Sequence, residues 1–450
     1  MTAQDKEKRA INRLESMRPL RAKVNETYLK SVEAIQSGKP AVWGMLNFYY
    51  GDPILKAMDI EVVYPENYGA IAAAMGVAQQ YLDRADAEGF PTHLCGYSLT
   101  TLGYASRMMK ELGGEIPPEA PLGGMPKPLF LMSSAAICDA RYKWFQALGR
   151  YMDAPVWTLE APTPGVKEFF MEGYYDAMVT LGVKHLRDFV AFVETMVGRK
   201  MDWDRLDRIT NLMIEVNRVW HEVNELRKVK PCPMHSRDFW SAMPAALFLA
   251  GDLEDSLRLY QDMYREVKAR VDSGIGAVPE EKYRLVFAEL PPWHSLAFFD
   301  KLAERGWSFV VESFGYRPPI PIDPDVMAVS DPLERITRFS LQFFAGYYED
   351  ARQQKVLGGA FAYPYLKYAR EWKCDGAMLH PLISCRSAST HLPYVADMLM
   401  EKLKVPSLSI EGDIVDLRLF NTEDALARAE PFEETMDHYR MVRQQEGLDW

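Results

Sequence analysis

Three cysteines occupy the same kind of position in this chain, directly before a predicted helix. The clearest case is Cys385, where the apolar run from Ala377 to Ser384 predicts a buried strand that ends on the cysteine. Cys95 and Cys138 lie in similar segments, each followed by a helical pattern. Strand carboxyl ends in parallel sheets form ligand-binding crevices, and helix amino termini favour a thiolate. The spacing therefore predicts three strand-to-helix crossings whose thiols converge on one point.

Composition restricts the class of protein. A chain of 450 residues with 48% hydrophobic residues predicts a globular protein of two or three domains. The net charge of −11 and the lack of a basic cluster argue against nucleic-acid binding. No apolar run is long enough to span a membrane, and the first residues carry no apolar signal region. Five cysteines without a secretory context indicate reduced thiols, so we expect a cytoplasmic location.

The alternation of apolar runs and helical patterns predicts an α/β fold with two parallel sheets and an additional helical region. Strand, helix and strand follow one another at short spacing both near Ala41 and near Tyr283. Between these two regions the 3.6-residue periodicity is almost continuous. We therefore divide the chain into a helical arm (1–40), a first α/β domain (41–165), a helical region (166–280) and a second α/β domain (281–450).

The three thiols suit an iron–sulfur cluster, because three cysteine ligands without a fourth leave one iron open to a substrate. Zinc is the rival metal, but the paired C-x2-C spacing typical of structural zinc sites is missing. Three unrelated buried thiols are the third alternative. Of the remaining cysteines, Cys374 is predicted to be a buried small residue at the far end of the strand that leads to Cys385. Cys232 is predicted to be a loop thiol rather than a zinc ligand.

Several short motifs occur in order along almost the whole chain, and each is weak alone. They are Cys95-Gly-Tyr, Cys138-Asp, Leu290-Pro-Pro-Trp293, Asp375-Gly with Cys385-Arg386, and Glu411-Gly-Asp413 with Asp416. Together, in this order, they resemble the 2-hydroxyacyl-CoA dehydratase family. That family includes the non-ATPase, cluster-binding subunits of ATP-dependent (class I) benzoyl-CoA reductase.

The resemblance implies two flavodoxin-like or Rossmann-like domains and a [4Fe–4S] cluster held by Cys95, Cys138 and Cys385. It also implies a heterodimer with a homologous cluster-binding subunit, and a separate ATP-hydrolysing iron–sulfur activator that supplies electrons one at a time. The chain contains no Gly-x4-Gly-Lys-Ser/Thr phosphate-binding pattern. ATP is therefore expected only on a partner subunit.

Five residues are candidates for proton transfer or substrate contact. Glu66 follows the second predicted strand, and the resemblance implies that a glutamate of this region binds substrate or moves a proton; a solvated loop carboxylate is the alternative. His380 is a second candidate, or else a hydrogen-bonded core histidine. Trp293 and His294 are expected to line the acyl or ring pocket. Arg386 is expected to raise the cluster potential, bind a CoA phosphate or cap a carbonyl.

The reaction implied by the resemblance is one-electron reduction of a CoA thioester. Aromatic residues in the predicted loops, such as Tyr64, Tyr68 and Trp293, favour an aroyl-CoA substrate and therefore a benzoyl-CoA reductase subunit. Two alternatives within the family stay open: an (R)-2-hydroxyacyl-CoA dehydratase subunit, and a redox-relay sister subunit that does not touch substrate. A structural α/β protein that binds zinc or nothing is the alternative outside it.

Overall fold

The computed structural model describes residues 10–134, 136, 138–313, 322–356, 362–448 and 450. It contains two four-stranded sheets in which all neighbouring strands are parallel. The first sheet has the order β2-β1-β3-β4 and the second the order β6-β5-β7-β8. Their bounds are β1 Ala41–Gly44, β2 Glu61–Val63, β3 Leu131–Ser133, β4 Val156–Thr158, β5 Tyr283–Ala288, β6 Trp307–Ser313, β7 Gly376–Leu379 and β8 Ser407–Ser409.

Both sheets have the strand order of flavodoxin-like folds, in which the direction of strand addition reverses beside the first strand. The reversal lies between β1 and β3 in the first sheet and between β5 and β7 in the second. Ligands bind outside the carboxyl ends of the strands at such a point. The predicted α/β class with two parallel sheets and added helices is confirmed, and the fold directs attention to the loops after β1, β3, β5 and β7.

The helices of the first half begin with α1 in the amino-terminal arm. Short helices α2 to α4 follow the first two strands, and α5 and α6 start directly after Cys95 and Cys138. Residues 1–9 of the predicted arm lie outside the described residues. The bounds are α1 Met17–Gln36, α2 Asp52–Ala57, α3 Pro65–Ala74, α4 Ala78–Ala87, α5 Gly96–Ser106, which continues as a π-helical turn Arg107–Glu111, and α6 Asp139–Met152.

The middle and second half contain the remaining helices. Four long helices occupy the predicted helical region, and α9 among them was not foreseen. They are α7 Tyr174–Val197, α8 Trp203–Leu226, α9 Ser236–Leu247 and α10 Leu253–Asp272; then follow α11 Ala297–Glu304, α12 Pro324–Ala328, α13 Pro332–Ala345, α14 Tyr348–Gln353, α15 Tyr363–Glu371, α16 Arg386–Ser389, α17 Leu392–Leu403, α18 Thr422–Ala429 and α19 Phe432–Glu446. No helix in the described ranges is long and apolar enough to cross a bilayer.

One apolar core connects the two sheets through the helical region. It includes Met132 of β3, Met213 of α8, Trp240 of α9 and Phe287 of β5, all almost fully buried. Burial of such side chains is the main favourable term in folding. The helices between the sheets therefore bind the two halves into one packed body.

Two details of the sequence prediction are wrong. The strand before Cys385 ends at Leu379, because Pro381 has no N–H with which to continue the ladder, and the chain reaches the cysteine through a loop. Cys95 follows a turn that connects α4 to α5, not a strand. The burial predicted for Cys374 is confirmed, and the loop thiol Cys232 is also fully buried.

Candidate functional site

Cys95, Cys138 and Cys385 are each the residue immediately before a helix. Cys95 is the N-cap of α5, Cys138 of α6 and Cys385 of α16. All three are half-buried free thiols, unlike the fully buried Cys232 and Cys374. The chain thus exposes a thiol at three separate helix starts.

Hydrogen bonds between the residues that flank these cysteines bring the three helix starts together. The backbone N–H of Gly96 donates to the hydroxyl of Ser384 at 3.3 Å, which joins the Cys95 and Cys385 segments. The Arg386 guanidinium donates to the Asp139 carboxylate at 2.6 Å, which joins the Cys385 and Cys138 segments. These contacts connect residues 288 and 247 positions apart along the chain.

The thiols are close enough to influence one another's charge. Burial raises the pKa of Cys95 well above its ordinary value, and the neighbouring Cys385 and Cys138 raise it further. Burial raises the pKa of Cys385 to about 12, and Cys138 again adds to the rise. The expectation that helix termini favour free thiolates therefore does not hold here, because burial outweighs the backbone N–H groups. A bound cationic centre would stabilise the thiolate forms.

The donor set distinguishes between kinds of metal site. Within the described ranges, no three His, Cys, Asp or Glu side chains are grouped closely enough to hold a single metal ion. The three cysteines, of which Cys95 and Cys385 pack against the apolar cluster of the first sheet, match the ligands of a polynuclear iron–sulfur group. The residues fit the predicted cluster better than a mononuclear zinc site.

The Glu411-Gly-Asp413 motif supports the loop before Cys385. The Asp413 carboxylate accepts hydrogen bonds from the Ser384 hydroxyl and from the backbone N–H groups of Val415 and Asp416, the latter two at 2.9 Å. Gly96 approaches this turn so closely that an added Cβ would lie 2.9 Å from the Asp413 carboxylate. The motif therefore positions the Cys95 and Cys385 segments.

Glu66 is not a solvated loop residue. It lies in the first turn of α3, where its carboxylate forms an ion pair with Arg141 of α6 at 2.9 Å. Its second oxygen accepts the backbone N–H of Leu46, just after β1, at 3.1 Å. Both side chains of the ion pair are nearly buried. Arg141, three residues after Cys138, was not singled out from the sequence, because an arginine within a helix carries no local signal of its partner.

An apolar cavity of about 420 Å³ lies beside Glu66. Aromatic residues from three separate parts of the chain form its walls, and Tyr97, two residues after Cys95, connects it to the cysteines. The lining residues are Arg21, Val24, Asn25, Glu66, Asn67, Ala70, Ile71, Ala74, Met75, Tyr97, Leu122, Trp240, Ser241, Met243, Pro244, Phe248, Trp293 and Leu296. The contribution of α9 was missed because that helix was not predicted.

Trp293 lies on the wall of this cavity, in a short 3₁₀ turn, and its indole N–H donates to the Tyr97 hydroxyl at 2.5 Å. His294 instead points to the carbonyl oxygen of Asp413, with Nε2 at 3.1 Å, and lines a separate groove with Arg418. Burial lowers the pKa of His294.

The other two candidates occupy contrasting positions. The Arg386 side chain is 82% exposed and paired with Asp139. His380 is buried between Phe287 and Phe420, with Nδ1 at 2.7 Å from the Leu290 carbonyl oxygen. Burial lowers the pKa of His380 to about 4. His380 is therefore a neutral core residue in this structure.

Comparison with known proteins identifies the family to which the chain is similar. Residues 47–436 match the family model described as 2-hydroxyglutaryl-CoA dehydratase, D-component. The (R)-phenyllactyl-CoA dehydratase alpha subunit of Clostridium sporogenes is 24% identical, covering 90% of this chain and 92% of that protein. The (R)-2-hydroxyisocaproyl-CoA dehydratase alpha subunit of Clostridioides difficile is 23% identical, with 94% and 96% covered. A benzoyl-CoA reductase subunit of Thauera aromatica is 26% identical, with 79% of each chain covered.

The match extends over most of both sheets, the helical region and all three cysteine segments. The resemblance recognised in the sequence is confirmed, and with it the prediction of an enzyme subunit of the dehydratase or reductase kind. The chain belongs to the 2-hydroxyglutaryl-CoA dehydratase D-component family.

Proposed function

We propose that this chain is the cluster-bearing subunit of an (R)-2-hydroxyacyl-CoA dehydratase. In this proposal Cys95, Cys138 and Cys385 hold a [4Fe–4S] cluster with one iron open to the substrate. The convergence of the three cysteine segments, through the Gly96–Ser384 and Asp139–Arg386 contacts, is the observation that carries the proposal. When bound, the cluster would supply a single low-potential electron to the thioester.

The cavity next to Tyr97 is the proposed site of the acyl group. Its walls contain Trp240, Phe248 and Trp293, so that an apolar acyl group would be removed from water on binding. These apolar and aromatic walls favour an aromatic or branched acyl group.

The chain's own residues have definite tasks in this scheme. The hydrogen bond between the Trp293 indole and the Tyr97 hydroxyl fixes two aromatic side chains in the cavity wall. This wall would exclude water from the side of the cavity that faces the cysteines. Arg141 and the Leu46 N–H orient the Glu66 carboxylate toward the cavity. In this orientation the Glu66 carboxylate would accept a hydrogen bond from the hydroxyl group of the substrate. We further propose a heterodimer with a homologous subunit and a separate ATP-hydrolysing activator.

Benzoyl-CoA reductase is the second candidate function. The aromatic walls of the cavity would also accept a benzoyl ring. We place the dehydratase first because the two dehydratase relatives are similar to the chain over at least 90% of its length, against 79% for the reductase subunit.

Metal content tests the cluster. Protein purified without oxygen should be brown and contain about four iron per chain. Replacement of Cys95, Cys138 or Cys385 by alanine should remove most of the iron. Cys374→Ala and Cys232→Ala are matched controls, because both thiols are fully buried away from the helix starts, and both variants should keep their iron. Full iron content in Cys385→Ala, or stoichiometric zinc in the wild type, would refute the assignment.

Substrate turnover tests the reaction. The chain, combined with its partner and activator, should convert an aromatic or branched 2-hydroxyacyl-CoA to the enoyl-CoA. Reduction of benzoyl-CoA without dehydration of any 2-hydroxyacyl-CoA would favour the second candidate. Iron-loaded protein that converts neither class would refute both.

A further inference from the structure

Another carboxyl group lies at the carboxyl end of the strands of the second sheet, on the side of the loop that carries Cys385. Glu289 is the first residue after β5, whose Ala288 pairs with Leu379 at the end of β7. Cys385 lies in the loop that follows β7. The reversal of strand order between β5 and β7 places the two loops side by side, at the point where ligands bind in such sheets.

The backbone at Glu289 has a conformation that a residue with a side chain rarely adopts. Its φ is +80°, in the region that favours glycine. The flanking structure holds it there: Ala288 ends a strand, and the next carbonyl, that of Leu290, accepts a hydrogen bond from His380 at 2.7 Å. Strain of this kind persists only where the surrounding structure holds it, and it is common at functional sites.

The Glu289 carboxyl group is buried and only half satisfied. The residue is 1% exposed. Its Oε1 accepts the Tyr365 hydroxyl at 2.7 Å and lies 3.0 Å from Nε2 of His391, while its Oε2 is buried with no hydrogen-bond partner in the described structure. The His391 side chain is 18% exposed, so it reaches from this carboxyl group toward solvent.

Two other buried glutamates, in or beside the second sheet, are paired with arginine. Glu281, at the other end of β5, pairs with Arg284 at 2.7 Å. Glu312 of β6 pairs with Arg227 at 2.6 Å. Both are as deeply buried as Glu289. Among the described ion pairs, Glu289 has no arginine or lysine partner, and its partner is His391.

We propose that Glu289 is the proton-transfer group of the reaction at the cysteine site, with Tyr365 and His391 holding it and His391 linking it to solvent. The inference rests on the proposed dehydratase function. In the net reaction the C2–O bond and one C3–H bond of the 2-hydroxyacyl thioester break. The carboxylic acid of Glu289 gives its proton to the departing hydroxyl, which leaves as water. The carboxylate then receives the proton released from C3, so the acid is restored and no net electron is consumed.

The electrostatics agree with this geometry. Burial raises the pKa of Glu289 to about 7, with His391 and Tyr365 acting in the opposite direction. A group of this kind holds or releases a proton near neutrality, as proton transfer requires. Glu289 in turn contributes to the raised pKa of Cys385, so the two side chains lie within electrostatic reach.

The decisive test compares Glu289→Gln with Glu281→Gln. Both variants carry the same change on a buried glutamate, and the two positions lie at opposite ends of β5. With the partner and activator present, Glu289→Gln should keep its iron content and its KM, while kcat falls by about 10²- to 10⁴-fold. Glu289→Asp should recover part of kcat, and Glu281→Gln should stay within a few-fold of the wild type. A kcat of Glu289→Gln within a few-fold of the wild type, or a loss of iron instead of kcat, would overturn the proposal.

Infrared spectroscopy of the cluster-free chain gives an answer independent of turnover. A carbonyl band of a buried protonated carboxyl group should be present near neutral pH, vanish in Glu289→Gln and persist in Glu281→Gln. Absence of the band overturns the proposal. If the wild type converts no CoA thioester, the proposed function fails, and this band still decides whether Glu289 holds a proton.

Discussion

Replacement of Glu289 by glutamine should stabilise the protein at neutral and alkaline pH. The pKa of this carboxyl group rises from 4.5 in the unfolded chain to about 7 in the fold because of burial. The folded state therefore holds the proton more tightly, and stability is lost as pH rises from 4.5 through 7. One pKa unit corresponds to about 1.4 kcal/mol, so the loss is about 3 kcal/mol. Glutamine has no charge to bury and escapes this loss.

The measurement is thermal unfolding of the cluster-free chain across that pH range. As pH rises from acid to alkaline, Glu289→Gln should gain about 3 kcal/mol in free energy of unfolding relative to the wild type. For a chain of 450 residues this is about 3 °C in melting temperature. Glu281→Gln should instead be destabilised, because it leaves Arg284 without its charged partner. A pH-independent difference for Glu289→Gln would refute the reasoning.

Three further changes test other parts of the structure. The pKa of His380 falls from 6.5 in the unfolded chain to about 4 in the fold. The free energy of unfolding of the wild type, measured in urea, should therefore fall by about 3 kcal/mol as pH drops from 6.5 to 4, and that of His380→Asn should not. Arg227→Met leaves the buried Glu312 unpaired and should lower the free energy of unfolding by about 3–5 kcal/mol, most of which the double variant with Glu312→Leu should recover. Equal instability of the single and the double variant would contradict this. A Cβ at Gly103 would lie 1.9 Å from the carbonyl oxygen of Tyr81; Gly103→Ala should therefore push α5 from α4, lower the melting temperature and reduce the iron bound at Cys95.

The sequence alone predicted a large part of the fold. Helix periodicity placed α8 at Trp203 and α10 at Leu253, in agreement with the structure, and the strand pattern placed both parallel sheets. The three cysteines before helix starts and the order of the short motifs were sufficient to recognise the family. Signals of this kind lie within a few neighbouring residues, because apolar periodicity and helix starts are local properties of the chain.

The errors also have local causes. The strand predicted up to Cys385 stops at Leu379, since a proline interrupts the ladder that the apolar run suggested. Helix α9 was missed, although it contributes Trp240 and Met243 to the cavity wall. It is a short helix that contains Pro244, a residue that disfavours the interior of a helix.

Only the tertiary structure decided which polar groups meet. Glu66 and Arg141 are 75 residues apart and form one buried ion pair, and Glu289 finds Tyr365 across 76 residues. Such pairings depend on how two sheets and the helices between them pack, and packing is set by the shape of the whole core. The sequence by itself determined the family and most of the strands, and it singled out the three cysteines that precede helices. The packed fold determined that the cysteine segments converge and that, among the described ion pairs, the buried Glu289 is paired with histidine and with no arginine or lysine.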